Sequence, residues 1–426
     1  MLVAPLLGLL GVTIAELVPD GRIGHHLVRA KEAGLLSKVE RPPSPLGTIT
    51  DRFSECVAIT VGLGDRPGAN LLDRALRSPS YVGCARAMPQ LDAIAGTGEL
   101  PVAPSSYLRY WHGYAVVTRP SIGLFGLGGA RWVGLGILAI AVTGLAAAVK
   151  RSFGLAPAVL LVVPPLLTSD MIVGGLTLSQ SIGMASAWLG GWTAFAATRR
   201  WPSWWTAAVA SALAGAINAY LDLMTSIPGS LALAAVGAAL GYVAARSGAR
   251  VADVGRVTVA GVVGWGVGLA WMWASKWLLA AAVIGWDETV DNVRSQIEFR
   301  LAGDHGDVSD NRVNGLTDNI GAWWDQPLTP WVLGALAVAV CVLALRAWSR
   351  RALLVRFAWP VAVALPVAGW YVLLDNHSQI HYWLVYRSLP MALGAIAACA
   401  AIATNGSETM GRDITPALGL ASVDHG

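Results

Sequence analysis

Residues 131–149, RWVGLGILAIAVTGLAAAV, form an apolar run whose one charge is its first residue. A helix needs about 20 such residues to cross the hydrocarbon of a bilayer. Runs of comparable character recur at 2–18, 155–175, 178–197, 204–222, 229–245, 257–284, 329–347, 353–374 and 383–403. The composition agrees. The 426 residues are 55% hydrophobic and 13% charged, with a mean hydropathy of +0.56. Water-soluble domains carry about 25% charged residues, so a soluble globule is excluded. The expectation is an all-α membrane protein of about ten transmembrane helices, with a long first extracytoplasmic loop containing short helices. A net charge of +4 does not point to nucleic acid, because the basic residues sit in short loops between apolar runs.

Those loops set the orientation. Lys150 and Arg151, Arg199 and Arg200, the group Arg246, Arg250 and Arg256, and the group Arg350, Arg351 and Arg356 follow every second run. Cytoplasmic loops collect Lys and Arg, which puts these inside and the alternate segments outside. The chain then divides into a first span (1–18), an extracytoplasmic loop with interfacial helices (19–130) and a transmembrane bundle (131–285). A second extracytoplasmic loop (286–328), C-terminal spans (329–403) and a cytoplasmic tail (404–426) follow. The turns near Asp170 and Asp222 and the stretch 375–382 also fall outside. The expected location is the plasma membrane, with the chemistry on its outer face. Residues 120–130, PSIGLFGLGGA, are Gly-rich and precede a complete span, so they are expected to lie in the interface or fold back. Cys56 and Cys84 share the first outer loop, where a disulfide is permitted, although spacing alone does not decide one.

The outer segments hold the reactive side chains. In TDRFSEC, Asp51 and Glu55 stand four apart on one helical face. They suit a general base and its orienting partner, or a divalent cation, or a solvated face in which Arg52 pairs with Glu55. The segment SSYLRYWHGYAVVTRP, 105–120, gathers Arg109, Tyr110, Trp111, His112, Tyr114 and Arg119. This is an aromatic belt at the interface, or a set of ring faces and guanidinium donors for sugar and phosphate. In LDNHSQIHYWLVYR, 374–387, His377 and His381 stand at i and i+4. On a continuous helix Arg387 lies roughly 9 Å deeper than His381. Lys276 in WMWASKWLL and Arg131 are the other cations near the outer edge, snorkelling to headgroups or converging with Arg387 on a phosphate.

With an acid, Asp51, in the long outer loop after the first span, and many spans beyond it, the layout resembles the GT-C superfamily of membrane glycosyltransferases. The resemblance implies a polyprenyl-phosphate sugar as donor and a cell-envelope glycan or glycolipid as acceptor, with membrane lipid around the site. It implies Asp51 as base with Glu55 beside it, and the donor phosphate against Arg387, Lys276 and Arg131 with His377 or His381 assisting. Tyr110, Trp111, His112 and Tyr114 then stack on acceptor sugar. No cofactor is demanded, and a divalent cation is compatible with the acids. Two other classes remain open: a transporter or flippase of a lipid-linked substrate, and a His-dependent membrane acyl- or phosphotransferase.

Overall fold

The computed structural model describes residues 3–43, 49–64, 70–97, 104–246, 248–301, 308–309, 311–347 and 358–405. The protein is all-helical, with 79% helix and no strand among these residues. The first part comprises α1 (Val3–Ala15), α2 (Asp20–Glu32), α3 (Phe53–Thr60), α4 (Leu71–Arg77), α5 (Cys84–Ala87) and α6 (Leu91–Thr97). The long helices follow: α7 (Ala115–Phe153), α8 (Leu155–Thr168), α9 (Met171–Gly175), α10 (Leu178–Arg200), α11 (Trp204–Leu221), α12 (Ile227–Ala245) and α13 (Val251–Ile284). The remainder is α14 (Trp286–Leu301), α15 (Asn314–Trp324), α16 (Thr329–Ala347), α17 (Ala358–Ala362), α18 (Ala364–Leu373), α19 (Asp375–Ile380), α20 (Tyr382–Val385) and α21 (Ser388–Asn405).

Among the described residues four helical stretches are long and apolar enough to cross a membrane: Ala115–Phe153, Ile227–Ala245, Val251–Ile284 and Tyr382–Ala403. The expected runs 2–18 and 155–175 are shorter as helices. The first ends at Ala15, and the chain bends by 71° into α2; the second stops at Thr168 and resumes as α9. Runs 178–197 and 204–222 are helical, as α10 and α11, but are not among the stretches apolar enough to span. In α10 the reason is visible: Ser179, Gln180, Ser181 and Ser186 are polar and buried against protein. Run 329–347 is α16, of which Thr329–Ala339 is the apolar part. In run 353–374, residues 353–357 lie outside the described residues, and the rest is two short helices.

The buried heart is α12, enclosed by α10, α11, α13 and α21. Glycine sets this packing, since small residues let helix backbones approach closely. A Cβ at Gly264 or Gly268 of α13 would run into the carbonyls of Ala208 and Ala212 on α11, and one at Gly237 of α12 into that of Gly191 on α10. Residues 120–130 are helical. They belong to α7, which breaks at Gly126 (φ +68°), a left-handed conformation that glycine adopts without steric cost.

The described residues between 19 and 130 have a core of their own, in which Ile23, Leu27, Leu63, Leu91 and Ile94 are fully buried. Cys56 and Cys84 are joined by a disulfide that ties α3 to α5. Two arginines lock this unit to the start of α7. Arg119 donates to the carbonyls of Ala15, Val61 and Val18 and to Asp20, while Arg74 donates to Asp20 and to Gly62 O. Each carbonyl is a chain-end acceptor that α1 or α3 cannot satisfy internally.

Candidate functional site

A cleft of ≈ 260 Å³ opens where five distant segments meet. Phe53, Ser54 and Val57 of α3 form one wall, and Tyr107, Arg109 and Tyr110 another. Leu223 and Thr225 of the α11–α12 turn, Gln296 of α14, and His377, Ile380, His381 and Leu384 complete it. Apart from Leu384, every lining residue belongs to a segment that the arginine pattern assigns to the outer side.

Asp51 stands behind this wall. Its Oδ1 accepts from Ser54 N at 2.9 Å, starting α3, and its Oδ2 accepts from Gln180 Nε2 at 2.7 Å. The carboxyl is buried. Burial pushes its pKa up, against the hydrogen bonds from Ser54 and the positive field of Arg387. A carboxyl lifted toward neutrality is what general-base work asks for. Gln180, which the sequence analysis does not single out, is its partner. The available signal is an amide within an otherwise apolar run.

His377 and His381 lie side by side, ring centroids 4.9 Å apart, with His377 Nε2 3.3 Å from Met224 O and His381 6.5 Å from the Phe53 ring. The spacing of four thus brings both rings together, although the helix ends at Ile380 and restarts at Tyr382. That break removes the continuous helix on which the depth of Arg387 was reckoned. Arg387 is buried, donates from Nε to Ser169 O at 3.1 Å, and holds Nη2 3.9 Å from Asp170 Oδ2. Asp170 itself adopts φ +52°, so the turn is shaped to present its carboxylate there.

Two expected phosphate ligands go elsewhere. Arg131 is spent on Glu55: Nε to Oε1 at 2.8 Å and Nη2 to Oε2 at 2.7 Å, a bidentate pair that Arg52 joins from the other side. Removing one member of such a buried pair costs about 3–5 kcal/mol, because the other charge is left uncompensated. Glu55, held between Arg52 and Arg131, anchors α3. Lys276 donates to Leu76 O at 2.7 Å and Ala75 O at 3.2 Å, closing the C-terminal end of α4 where the helix dipole is negative. Neither cation lines the cleft.

Of the expected acceptor group, Tyr110 alone lines the cleft. Trp111 is buried and donates to Met272 O at 2.6 Å. His112, at φ +54°, has Nε2 3.0 Å from Tyr107 O and Nδ1 2.6 Å from Tyr114 Oη. A carbonyl only accepts, so Nε2 carries the proton and Nδ1 accepts from the tyrosine hydroxyl. Burial first, then Lys276, pulls the His112 pKa well below its ordinary value and keeps the ring neutral. These residues brace the wall that Tyr107 and Tyr110 present. Among the described residues no group of three or more His, Cys, Asp or Glu is placed to hold a metal ion.

Arg109, Tyr110 and Gln296 also line an apolar cavity of ≈ 330 Å³ with Trp273, Trp277, Ile297 and Leu374. Trp277 and Ile297 in turn border a third of ≈ 480 Å³ between α13 and α14. The fold and site together define a helical protein with membrane-spanning character and an amphiphilic crevice. No family model, curated protein or solved structure matches the chain.

Proposed function

We propose that this protein crosses the membrane about ten times and transfers a sugar, on the outer face, from a polyprenyl-phosphate donor to an envelope glycan or glycolipid, in the manner of GT-C glycosyltransferases. One observation carries the reading. Segments up to hundreds of residues apart, all but the one holding Leu384 assigned outside by their flanking charge, meet in one cleft that shares Arg109, Tyr110 and Gln296 with an apolar cavity. A polar head joined to a long hydrocarbon is the ligand such a shape fits.

Asp51 accepts the proton of the acceptor hydroxyl as it attacks the anomeric carbon, and the phosphate leaves on the opposite side, so the configuration inverts. His377 and His381 stabilise the charge growing on the departing phosphate. Because Asp51 stands behind Ser54, this assignment asks for a small movement of α3 or the path of one water between carboxylate and hydroxyl. A second reading, a His-dependent acyl- or phosphotransferase, is favoured by the two imidazoles that line the cleft where Asp51 does not. Purified protein supplied with radiolabelled polyprenyl-phosphate sugar separates the two. Transfer abolished by Asp51→Asn and only weakened by His377→Ala supports glycosyl transfer with Asp51 as base; loss confined to His377→Ala supports the rival.

A further inference from the structure

Buried and half-buried arginines in this protein are matched to carboxylates. Arg52 and Arg131 share Glu55, Arg74 and Arg119 share Glu16 and Asp20, Arg77 holds Asp73 and Glu288, and Arg387 faces Asp170. Arg109 breaks the pattern. Among the described residues no carboxylate lies within ion-pair distance of it. Its partners are neutral: Tyr107 Oη at 2.7 Å and Gln296 Oε1 at 2.5 Å, with the guanidinium stacked 4.2 Å over the Tyr107 ring. Its Nε is buried without a hydrogen-bond partner.

A guanidinium keeps its charge in any protein environment, so an unmatched one at a cleft wall is a standing site for an anion. Arg109 also sits at the junction of the polar cleft and the tryptophan-lined apolar cavity. An anion held there has room for a hydrocarbon on one side and a polar substituent on the other. We infer that Arg109 binds the phosphate of the lipid substrate, the phosphate taking the place that Gln296 occupies on the guanidinium. This rests on the lipid-phosphate reading above and moves the phosphate ligand from Lys276 and Arg131 to Arg109. Gln296 is then a placeholder carried by α14, released when the headgroup arrives.

The test uses the full chain in detergent, with quenching of tryptophan fluorescence by farnesyl phosphate and by farnesol, which shares the chain and lacks the charge. Wild type binds the phosphate about tenfold or more tightly than the alcohol, as a charge-assisted contact requires. Arg109→Gln loses that preference while farnesol binding is unchanged, which also reports an intact crevice, and Arg109→Lys recovers part of it. Gln296→Ala, which removes the competitor, tightens phosphate binding about twofold or more. An Arg109→Gln protein that keeps the full preference, with Arg387→Gln losing it, overturns the assignment and leaves the lipid-phosphate reading standing. A wild type that binds both ligands equally overturns that reading itself.

Discussion

Asp51 combines two roles that pull against each other. It caps α3 through Ser54 N, which any Asp or Asn does well, and it is a buried carboxyl with a raised pKa. Between its unfolded value near 3.9 and the raised folded value, the native state holds more protons than the unfolded one. By linkage the contribution of this group to stability falls as pH rises through that window. Asp51→Asn keeps both hydrogen bonds, since Asn accepts from Ser54 and a turned Gln180 amide meets its nitrogen. The variant is expected to melt at or above wild type at pH 8, with a flatter pH dependence and no transfer. Thermal unfolding at pH 5 and 8 checks this; a much lower melting point at pH 8 would mean that the negative charge, held by Arg387, is a stabilising feature of the fold. Sequence reading reached Asp51, His377 and His381 because acids and imidazoles are rare enough here to stand out. Gln180 was passed over, and Arg109 could not be told from Arg119, since both belong to the same segment, 105–120, and only contacts separate them.

Elements explain why the expected cations diverge. Helix α13 delivers Lys276 to the end of α4, and α7 delivers Arg131 to α3. Each pins a short helix of the outer loop to a long one, an arrangement in which position along the chain reveals depth but not the partner. Lys276→Met leaves two carbonyls of α4 unmet and is expected to cost about 1–3 kcal/mol of stability. Lipid-phosphate binding should survive the change. Unfolding and farnesyl phosphate binding of the same sample decide it, and loss of binding without loss of stability would restore Lys276 to the site. The α14 helix, part of the stretch 286–328 read from sequence as a loop, also walls all three cavities through Gln296 and Ile297.

At the scale of the whole molecule, the disulfide and the charge pattern agree. Cys56 and Cys84 are joined in the loop that positive charge assigns outside, where oxidising conditions keep such bonds. Cys399 is buried and Cys341 exposed, both as thiols. Alkylation should therefore label Cys341 and Cys399 after denaturation, and all four cysteines only after reduction. Four labelled residues without reductant would remove the bridge.

Membrane-spanning character was legible in the chain because hydropathy is one-dimensional: each residue contributes wherever its neighbours fold. The helices of the outer loop, the break of α7 at Gly126 and the meeting of α3, the Tyr107–Tyr110 segment and His377 depend on contacts between residues 50 to 330 positions apart. So do the partners of Arg119, Arg131 and Arg387, since a buried charge takes whichever acceptor the packing brings near, whereas Arg52 and Arg77 find Glu55 and Asp73 within one helical turn.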